Sequence, residues 1–66
     1  MQISLKAARV NAGLTQKEAA QEIGVDVSTI FSWENGKTSP KATHLEALCK
    51  LYHMPVDHIF LHEKSS

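Results

Sequence analysis

The residues of this chain that could perform chemistry include four histidines, two of which have a spacing suited to metal binding. His58 and His62 are four residues apart and would face the same side of a helix that extended over both, while His44 and His53 stand farther away. Zinc sites need three or four ligands in a fixed geometry, and no cysteine or acidic partner completes a recognised zinc pattern here. We therefore interpret the histidines as surface side chains and predict neither a metal nor a cofactor.

The residue pattern also argues against covalent catalysis. This chemistry requires a nucleophile beside a general base, and no such pair stands out. Cys49 falls between Leu48 and Leu51 in an apolar helical pattern, which is typical of a small core residue and not of a reactive thiol. Because one cysteine cannot form an internal disulfide, the sequence favours a reducing interior such as the cytoplasm. We expect a protein that is not an enzyme.

The length of 66 residues predicts one domain with a small core and no separate ligand-sensing or catalytic domain. No apolar run approaches the ~18 residues of a membrane span, and the N-terminus lacks a signal-peptide core, so we expect a soluble intracellular protein without a membrane partner. The starting methionine and the polar ending favour a complete protein. Seven basic residues balance seven acidic ones, which counts against nucleic-acid binding because a basic domain is its usual footprint.

Glycine, proline and capping residues divide the chain into five short predicted helices, and no strand pattern is visible. The first covers about residues 3–12 and ends at Gly13. The second begins at a capping box formed by Thr15 and Glu18, and it ends at Gly24. The third begins after Asp26, which is a good N-cap, and ends at the Asn-Gly pair 35–36.

The last two predicted helices cover the remainder of the chain. The fourth opens at Ser39, with Pro40 at the first helical position, where a missing N–H costs nothing. Its predicted buried stripe consists of Leu45, Leu48, Cys49 and Tyr52. The fifth, over residues 56–61, is expected to carry Ile59 and Phe60 toward the core, and residues 62–66 form a polar tail.

Residues 15–36 have the spacing of two helices that cross steeply at a short turn. Such helices nearly touch beside the turn, so the small side chain of Ala20 suits the crossing point, and Gly24 suits a turn with positive φ. Ile30 and Trp33 lie three residues apart and would bury one edge of the second helix of this pair. The joint spacing predicts a helix-turn-helix.

Four side chains would then lie on the outward face of that second helix: Val27, Ser28, Phe31 and Ser32. An outward phenylalanine is expected to contact a partner such as thymine methyl groups or a sugar edge, with packing on a loop or on a second subunit as the alternative. No Gln, Asn or Arg is present at the other three positions, so bidentate pairing to a base is not possible. We expect modest sequence discrimination, supplemented by DNA shape and symmetry.

The sequence resembles the phage-repressor/Cro family of helix-turn-helix proteins, also called XRE-like, over residues 3–61. The matching residues are Arg9, Gly13-Leu14-Thr15-Gln16, Ala20, Ile23-Gly24-Val25, Ser28-Thr29-Ile30, Trp33-Glu34-Asn35-Gly36-Lys37, Pro40, Leu45, Leu48 and the run 56–60. The resemblance implies a compact all-α five-helix bundle of the lambda-repressor-like DNA-binding type over residues 1–61. It also implies a transcriptional regulator, with a repressor favoured, that inserts helix 27–35 into the major groove.

The resemblance assigns roles to individual side chains. Val27, Ser28, Phe31 and Ser32 would face base edges. Phosphate contacts are expected from Thr15, Gln16, Lys17, Asn35, Lys37, Thr38 and Lys41, where Gln16 could also brace a side chain near the bases. Arg9 and Glu34 would form a structural ion pair that ties the first helix to the end of the third. With so few cations on this face, we expect a shallow dependence of affinity on salt.

The expected partner is a double-stranded, pseudo-palindromic DNA operator bound by a homodimer, with Phe60, Leu61 and their neighbours as the candidate dimer surface. The expected location is the nucleoid of a prokaryotic or phage-infected cell. Two alternatives use the same fold. One is an antitoxin that binds a toxin and its own promoter, and the other is a protein-interaction module with weak or no DNA binding, which zero net charge favours.

Overall fold

The computed structural model describes residues 2–61, and the predicted tail, with His62, lies outside the described residues. Across this range the chain forms four α-helices, one short 3₁₀ helix and two strands of two residues. Their order is β1 (Ile3–Ser4), α1 (Leu5–Asn11), α2 (Gln16–Ile23), α3 (Val27–Glu34), α4 (Ala42–Tyr52), the 3₁₀ helix (Val56–His58) and β2 (Ile59–Phe60). None of the helices in residues 2–61 has the length and apolar character needed to cross a membrane.

Local side-chain caps define where the first helices begin. The Thr15 hydroxyl accepts the Glu18 N–H at 3.0 Å, and the Glu18 carboxylate accepts the Thr15 N–H at 2.9 Å, which confirms the predicted capping box of α2. Asp26 is confirmed as the N-cap of α3, since its carboxylate accepts the Ser28 N–H. Ser4 caps α1 through the Ala7 N–H. These contacts satisfy backbone donors that a helix start leaves unpaired.

The prediction that Pro40 occupies the first position of the fourth helix is wrong. Helix α4 begins at Ala42, and Lys41 is its N-cap. The backbone at Lys41 is still extended, with φ −67° and ψ 161°, so the helix cannot begin before the residue that follows it.

The predicted fifth helix is also wrong, because residues 56–61 form a 3₁₀ turn followed by strand β2. This strand pairs in parallel with β1, with Ile3 opposite Ile59 and Ser4 opposite Phe60. The same pairing shortens the predicted first helix, which starts at Leu5 and not at residue 3. Successive residues of a strand point to opposite faces, so Ile59 is buried whereas Phe60 is 47% exposed, contrary to its predicted core position.

The core is small and is shared by all four helices and β2. Its buried apolar members are Leu5, Ala8, Ala19, Ala20, Ile30, Trp33, Leu48, Cys49, Tyr52 and Ile59. Helix α2 packs against both α3 and α4, and the alanines of α2 allow this close approach. The predicted inward positions of Ala20, Ile30 and Trp33 are confirmed, and Cys49 is confirmed as a buried residue. Leu45 is half-buried against the same core.

Gly24 offers a test of the turn between α2 and α3. Its φ is +81°, and a Cβ at this position would meet no atom within 4 Å, so substitution adds backbone strain without a clash. Gly24→Ala should therefore lower the free energy of unfolding by about 1–2 kcal/mol. Gly24→Asn should cost less, because asparagine tolerates the left-handed conformation. Urea unfolding followed by Trp33 fluorescence measures both, and equal stability of Gly24→Ala and the parent would contradict this reading of the turn.

Candidate nucleic-acid interface

Helix α3 separates an inward edge from an outward face, and the four predicted base-reading residues share the outward face. Ile30 and Trp33 are buried on the inward edge. Val27 and Phe31, one turn apart, are 43% and 45% exposed. Ser28 is exposed and Ser32 is half-buried, again one turn apart. The outward face thus presents an apolar pair beside a hydroxyl pair, a combination that can make apolar contacts and single hydrogen bonds.

The Phe31 ring is covered on one side by a cation from the following loop. The Nζ atom of Lys37 lies 5.3 Å from the centroid of this ring, within the range of a cation–π contact. The Lys37 N–H donates to the Ser32 carbonyl at 2.9 Å, which holds the loop against the last turn of α3. The lysine therefore stands at the edge of the outward face, where it adds positive charge.

Ser28 has a hydrogen-bond partner that the sequence analysis missed. Its hydroxyl donates to Oδ2 of Asp26, the same oxygen that accepts its N–H at 2.9 Å. The bond from the Ser28 side chain, with that from its backbone, lowers the pKa of Asp26 below its ordinary value. The signal in the sequence was an N-cap aspartate two residues before a serine, a spacing at which both groups reach one carboxylate.

The structure brings Arg9 and Glu34 together in a buried, two-pronged ion pair. Arg9 Nε donates to Glu34 Oε2 at 2.7 Å, and Nη2 donates to Oε1 at 3.2 Å. Nη1 donates to the Leu14 carbonyl at 2.8 Å, in the loop between α1 and α2. These bonds to Glu34 raise the pKa of Arg9, although its burial acts in the opposite direction. The pair thus links three segments of the chain.

Gln16 joins this pair from the first turn of α2. Its Nε2 donates to Glu34 Oε1 at 3.0 Å, so the residue that it braces is the buried glutamate and not a side chain of the outward face. The amide nitrogen carries two hydrogens, and the second can donate to an acceptor outside the protein. The contact also places the start of α2 beside the last turn of α3.

The remaining expected phosphate-binding residues lie in two segments that adjoin α3. Thr15 and Lys17 are exposed at the start of α2. Asn35 caps the end of α3 and donates from Nδ2 to the Phe31 carbonyl at 2.8 Å. Lys37, Thr38 and Lys41 follow in the loop that leads to α4, where all three are exposed. Because Gln16 meets Glu34, the start of α2 lies beside the C-terminal end of α3, from which the second segment continues.

The three histidines within residues 2–61 show no arrangement that could hold a metal ion. In residues 2–61 no group of three or more His, Cys, Asp or Glu side chains is suitably placed. His53 and His58 are exposed, as predicted. His44 departs from the prediction of a surface side chain, because it is half-buried with its ring centroid 5.3 Å from that of Trp33. His53 ends α4 in the left-handed conformation.

Comparisons with known proteins find helix-turn-helix proteins that are similar to this chain. A family model described as helix-turn-helix matches residues 5–59. The cryptic phage CTXphi transcriptional repressor RstR of Vibrio cholerae is 42% identical over 48 residues, which are 73% of this chain and 43% of the repressor. The HTH-type transcriptional regulator ImmR of Bacillus subtilis is 34% identical over 55 residues, 83% of this chain and 43% of ImmR.

A third relative matches over almost its entire length. This uncharacterised HTH-type transcriptional regulator of Methanocaldococcus jannaschii is 32% identical over 63 residues, or 96% of both chains. By contrast, the present chain spans less than half the length of RstR and of ImmR. A search of the solved structures gave no significant match.

Removal of the buried arginine should destabilise the fold. Arg9→Ala leaves the Glu34 carboxylate buried beside α1 without its partner, which typically costs about 3–5 kcal/mol. Lys6→Ala, at an exposed position of the same helix, is the matched control and should change stability by no more than about 0.5 kcal/mol. Urea unfolding measures both variants. If the two substitutions cost the same, the ion pair does not stabilise the fold.

The buried phenol of Tyr52, close to the same ion pair, leads us to expect that the protein loses stability at alkaline pH. Tyr52 is 4% exposed, and burial raises its pKa to about 12, with the negative charge of Glu34 acting in the same direction and Arg9 opposing it. In the unfolded chain this phenol ionises near pH 10. Between about pH 10 and 12 the unfolded state therefore loses a proton that the native state keeps, so stability falls as pH rises.

The chain contains one tyrosine and one tryptophan, so two optical signals separate ionisation from unfolding. Phenolate absorbance should rise together with the change in Trp33 fluorescence, and Tyr52→Phe should remove this part of the pH dependence. Ionisation near pH 10 in a chain that remains folded would contradict the prediction.

Proposed function

This chain belongs to the phage-repressor/Cro-like (XRE-like) family of helix-turn-helix transcriptional regulators, and we propose that it is a sequence-specific repressor whose helix α3 enters the major groove of DNA. The family consists of regulators and not of enzymes. Repression then needs no chemistry, since a protein bound over a promoter excludes other proteins from it. The corresponding location is the cytoplasm, at the nucleoid.

The observation that carries this proposal is the composition of the outward face of α3. The major groove admits an α-helix and displays thymine methyl groups beside base donors and acceptors. Val27 and Phe31 are exposed one turn apart and suit those methyl groups, while Ser28 and Ser32 suit single hydrogen bonds. Single exposed apolar residues are common on protein surfaces, but an exposed pair next to two hydroxyls on one helix face favours a groove.

Two flanking segments would position α3 by holding the DNA backbone. Thr15, Gln16 and Lys17 begin α2, where the positive end of the helix dipole favours a phosphate. The second segment consists of Asn35, Lys37, Thr38 and Lys41. The three lysines would carry most of the charge, because Arg9 is neutralised by Glu34. With so few phosphates neutralised, log affinity should fall only shallowly with log salt.

The proposal includes binding as a homodimer. Two copies on a pseudo-palindromic operator would place their α3 helices in successive major grooves, about 34–36 Å apart. The exposed apolar side chains of Val56 and Phe60, in the segment that follows α4, are the proposed contact surface between the copies.

A second candidate is a protein-interaction module of the same fold, which the balance of seven basic and seven acidic residues favours. An antitoxin that also binds a toxin is a form of this candidate. DNA binding separates the proposals, because even non-specific affinity should be visible in a mobility shift at low salt. Absence of any shift under these conditions would favour the interaction module.

Thymine methyl contacts can be tested on an operator selected from a random pool of double-stranded DNA. Replacement of a contacted thymine by deoxyuridine removes one methyl group, which should weaken binding about 4-fold. Phe31→Ala should bind more weakly to the thymine operator and lose most of this thymine–uracil difference. Fluorescence anisotropy titrations measure each combination.

Lys41→Ala is the matched control for a backbone contact. It should weaken binding to the thymine and uracil operators equally and reduce the slope of log affinity against log salt by about 1. If Phe31→Ala retains the full thymine–uracil difference, Phe31 does not contact the methyl group.

A further inference from the structure

The hydrogen-bond pattern at the start of α3 determines what the Ser28 hydroxyl can offer to a partner. A serine hydroxyl has one hydrogen to donate and two lone pairs to accept with. In this chain the hydrogen is directed at Oδ2 of Asp26. Asp26 is exposed and therefore ionised at neutral pH, and the two bonds that Oδ2 receives from Ser28 lower its pKa further, so the carboxylate has no hydrogen of its own to give. The hydroxyl must therefore be the donor.

The outward side of Ser28 is consequently an acceptor. Its oxygen keeps lone pairs for an external donor, and donation to a charged group makes that oxygen a stronger acceptor, because hydrogen bonds in a chain polarise one another. The carboxylate of Asp26 is in hydrogen-bond contact with this oxygen, and its negative charge disfavours a second negative atom beside it. Ser32, on the next turn of the same face, has no carboxylate partner of this kind in residues 2–61.

Base edges in the major groove differ in whether they present a hydrogen-bond donor or an acceptor. Adenine presents the N6 amino group and cytosine the N4 amino group, both of which are donors, whereas guanine O6 and thymine O4 are acceptors. Resting on the proposed function, we propose that Ser28, with its hydroxyl oriented by Asp26, selects an amino base over a keto base at one position of each half-site. Asp26 acts as a positioning residue, and Ser28 makes the base contact.

A purely structural role for the same contacts makes a different prediction. The Ser28 N–H already gives Asp26 the bond that an N-cap requires, so the hydroxyl bond is additional to the cap. If that additional bond only stiffened the turn, its removal would change stability and overall affinity without changing which bases are selected. The ratio of affinities for two operators that differ at one base pair therefore separates the two roles.

The test compares the full chain with Ser28→Ala and Asp26→Gly. Glycine caps helices nearly as well as aspartate, so Asp26→Gly keeps α3 while it frees the hydroxyl hydrogen. For each protein, bound sequences are selected from a random double-stranded pool, and affinities are then measured on the selected operator with each of the four bases at the relevant position. Ser32→Ala is the matched control on the same face.

We expect the parent protein to favour adenine or cytosine at one half-site position by about 2- to 10-fold, the contribution of one neutral hydrogen bond. Substitution of purine for that adenine, which removes the amino group alone, should cause the same loss. Ser28→Ala should abolish the preference at this position, and Asp26→Gly should admit keto bases there. Ser32→Ala should leave this position unchanged.

Two results, each measured on an operator that the parent protein binds, would overturn the inference. The first is that the parent prefers guanine or thymine at the position whose base preference changes in Ser28→Ala. The second is that Asp26→Gly leaves the ratio of affinities for amino and keto bases at this position unchanged. Absence of binding to any DNA by the parent protein at low salt is a different outcome. It would overturn the proposed function together with this inference.

Discussion

The geometry of this fold depends on the buried ion pair between Arg9 and Glu34. Removing two charges from water is expensive, and the cost is offset only when the remaining donors and acceptors also find partners. Here the guanidinium also binds the Leu14 carbonyl, and the glutamate also accepts from Gln16. No buried side-chain nitrogen or oxygen in residues 2–61 lacks a partner. The pair therefore fixes α1, the start of α2 and the end of α3 relative to one another.

This constraint decides which side of α3 faces outward. Glu34 is held inward by Arg9, and Ile30 and Trp33 are buried in a core whose other helices contribute several alanines. A helix with three inward anchors cannot rotate, so positions 27, 28, 31 and 32 must lie on the opposite side. The outward residues contribute little to the core, so substitutions there need not change the fold. The inward anchors and the outward face are thus separate parts of one helix.

The parts of the structure that were predictable from sequence are those set by neighbouring residues. The capping box at Thr15, the N-cap at Asp26 and the inward positions of α3 each follow from spacings of two to four residues. The strand pair was not predictable in this way, because β1 gains its partner from Ile59, at the other end of the described chain. Without that pairing in view, a segment as short as 56–61 has no period that separates a strand from a helix. The hydrogen bond from the Ser28 hydroxyl to Asp26 was not predicted, because the N-cap role of Asp26 explains only its contact with the Ser28 N–H.

The charge balance of the chain has a different meaning once these contacts are known. Arg9 and Glu34 cancel each other inside the fold, so the field outside α3 comes from exposed lysines and from Asp26. A carboxylate next to a DNA backbone weakens binding to every sequence by a similar amount, and taken alone it would favour none of them. It can distinguish sequences only through a group that touches the bases. In this structure Asp26 is joined by a hydrogen bond to the hydroxyl of Ser28, the proposed base contact. If Ser28 makes that contact, a charge that is unfavourable for affinity contributes to selectivity.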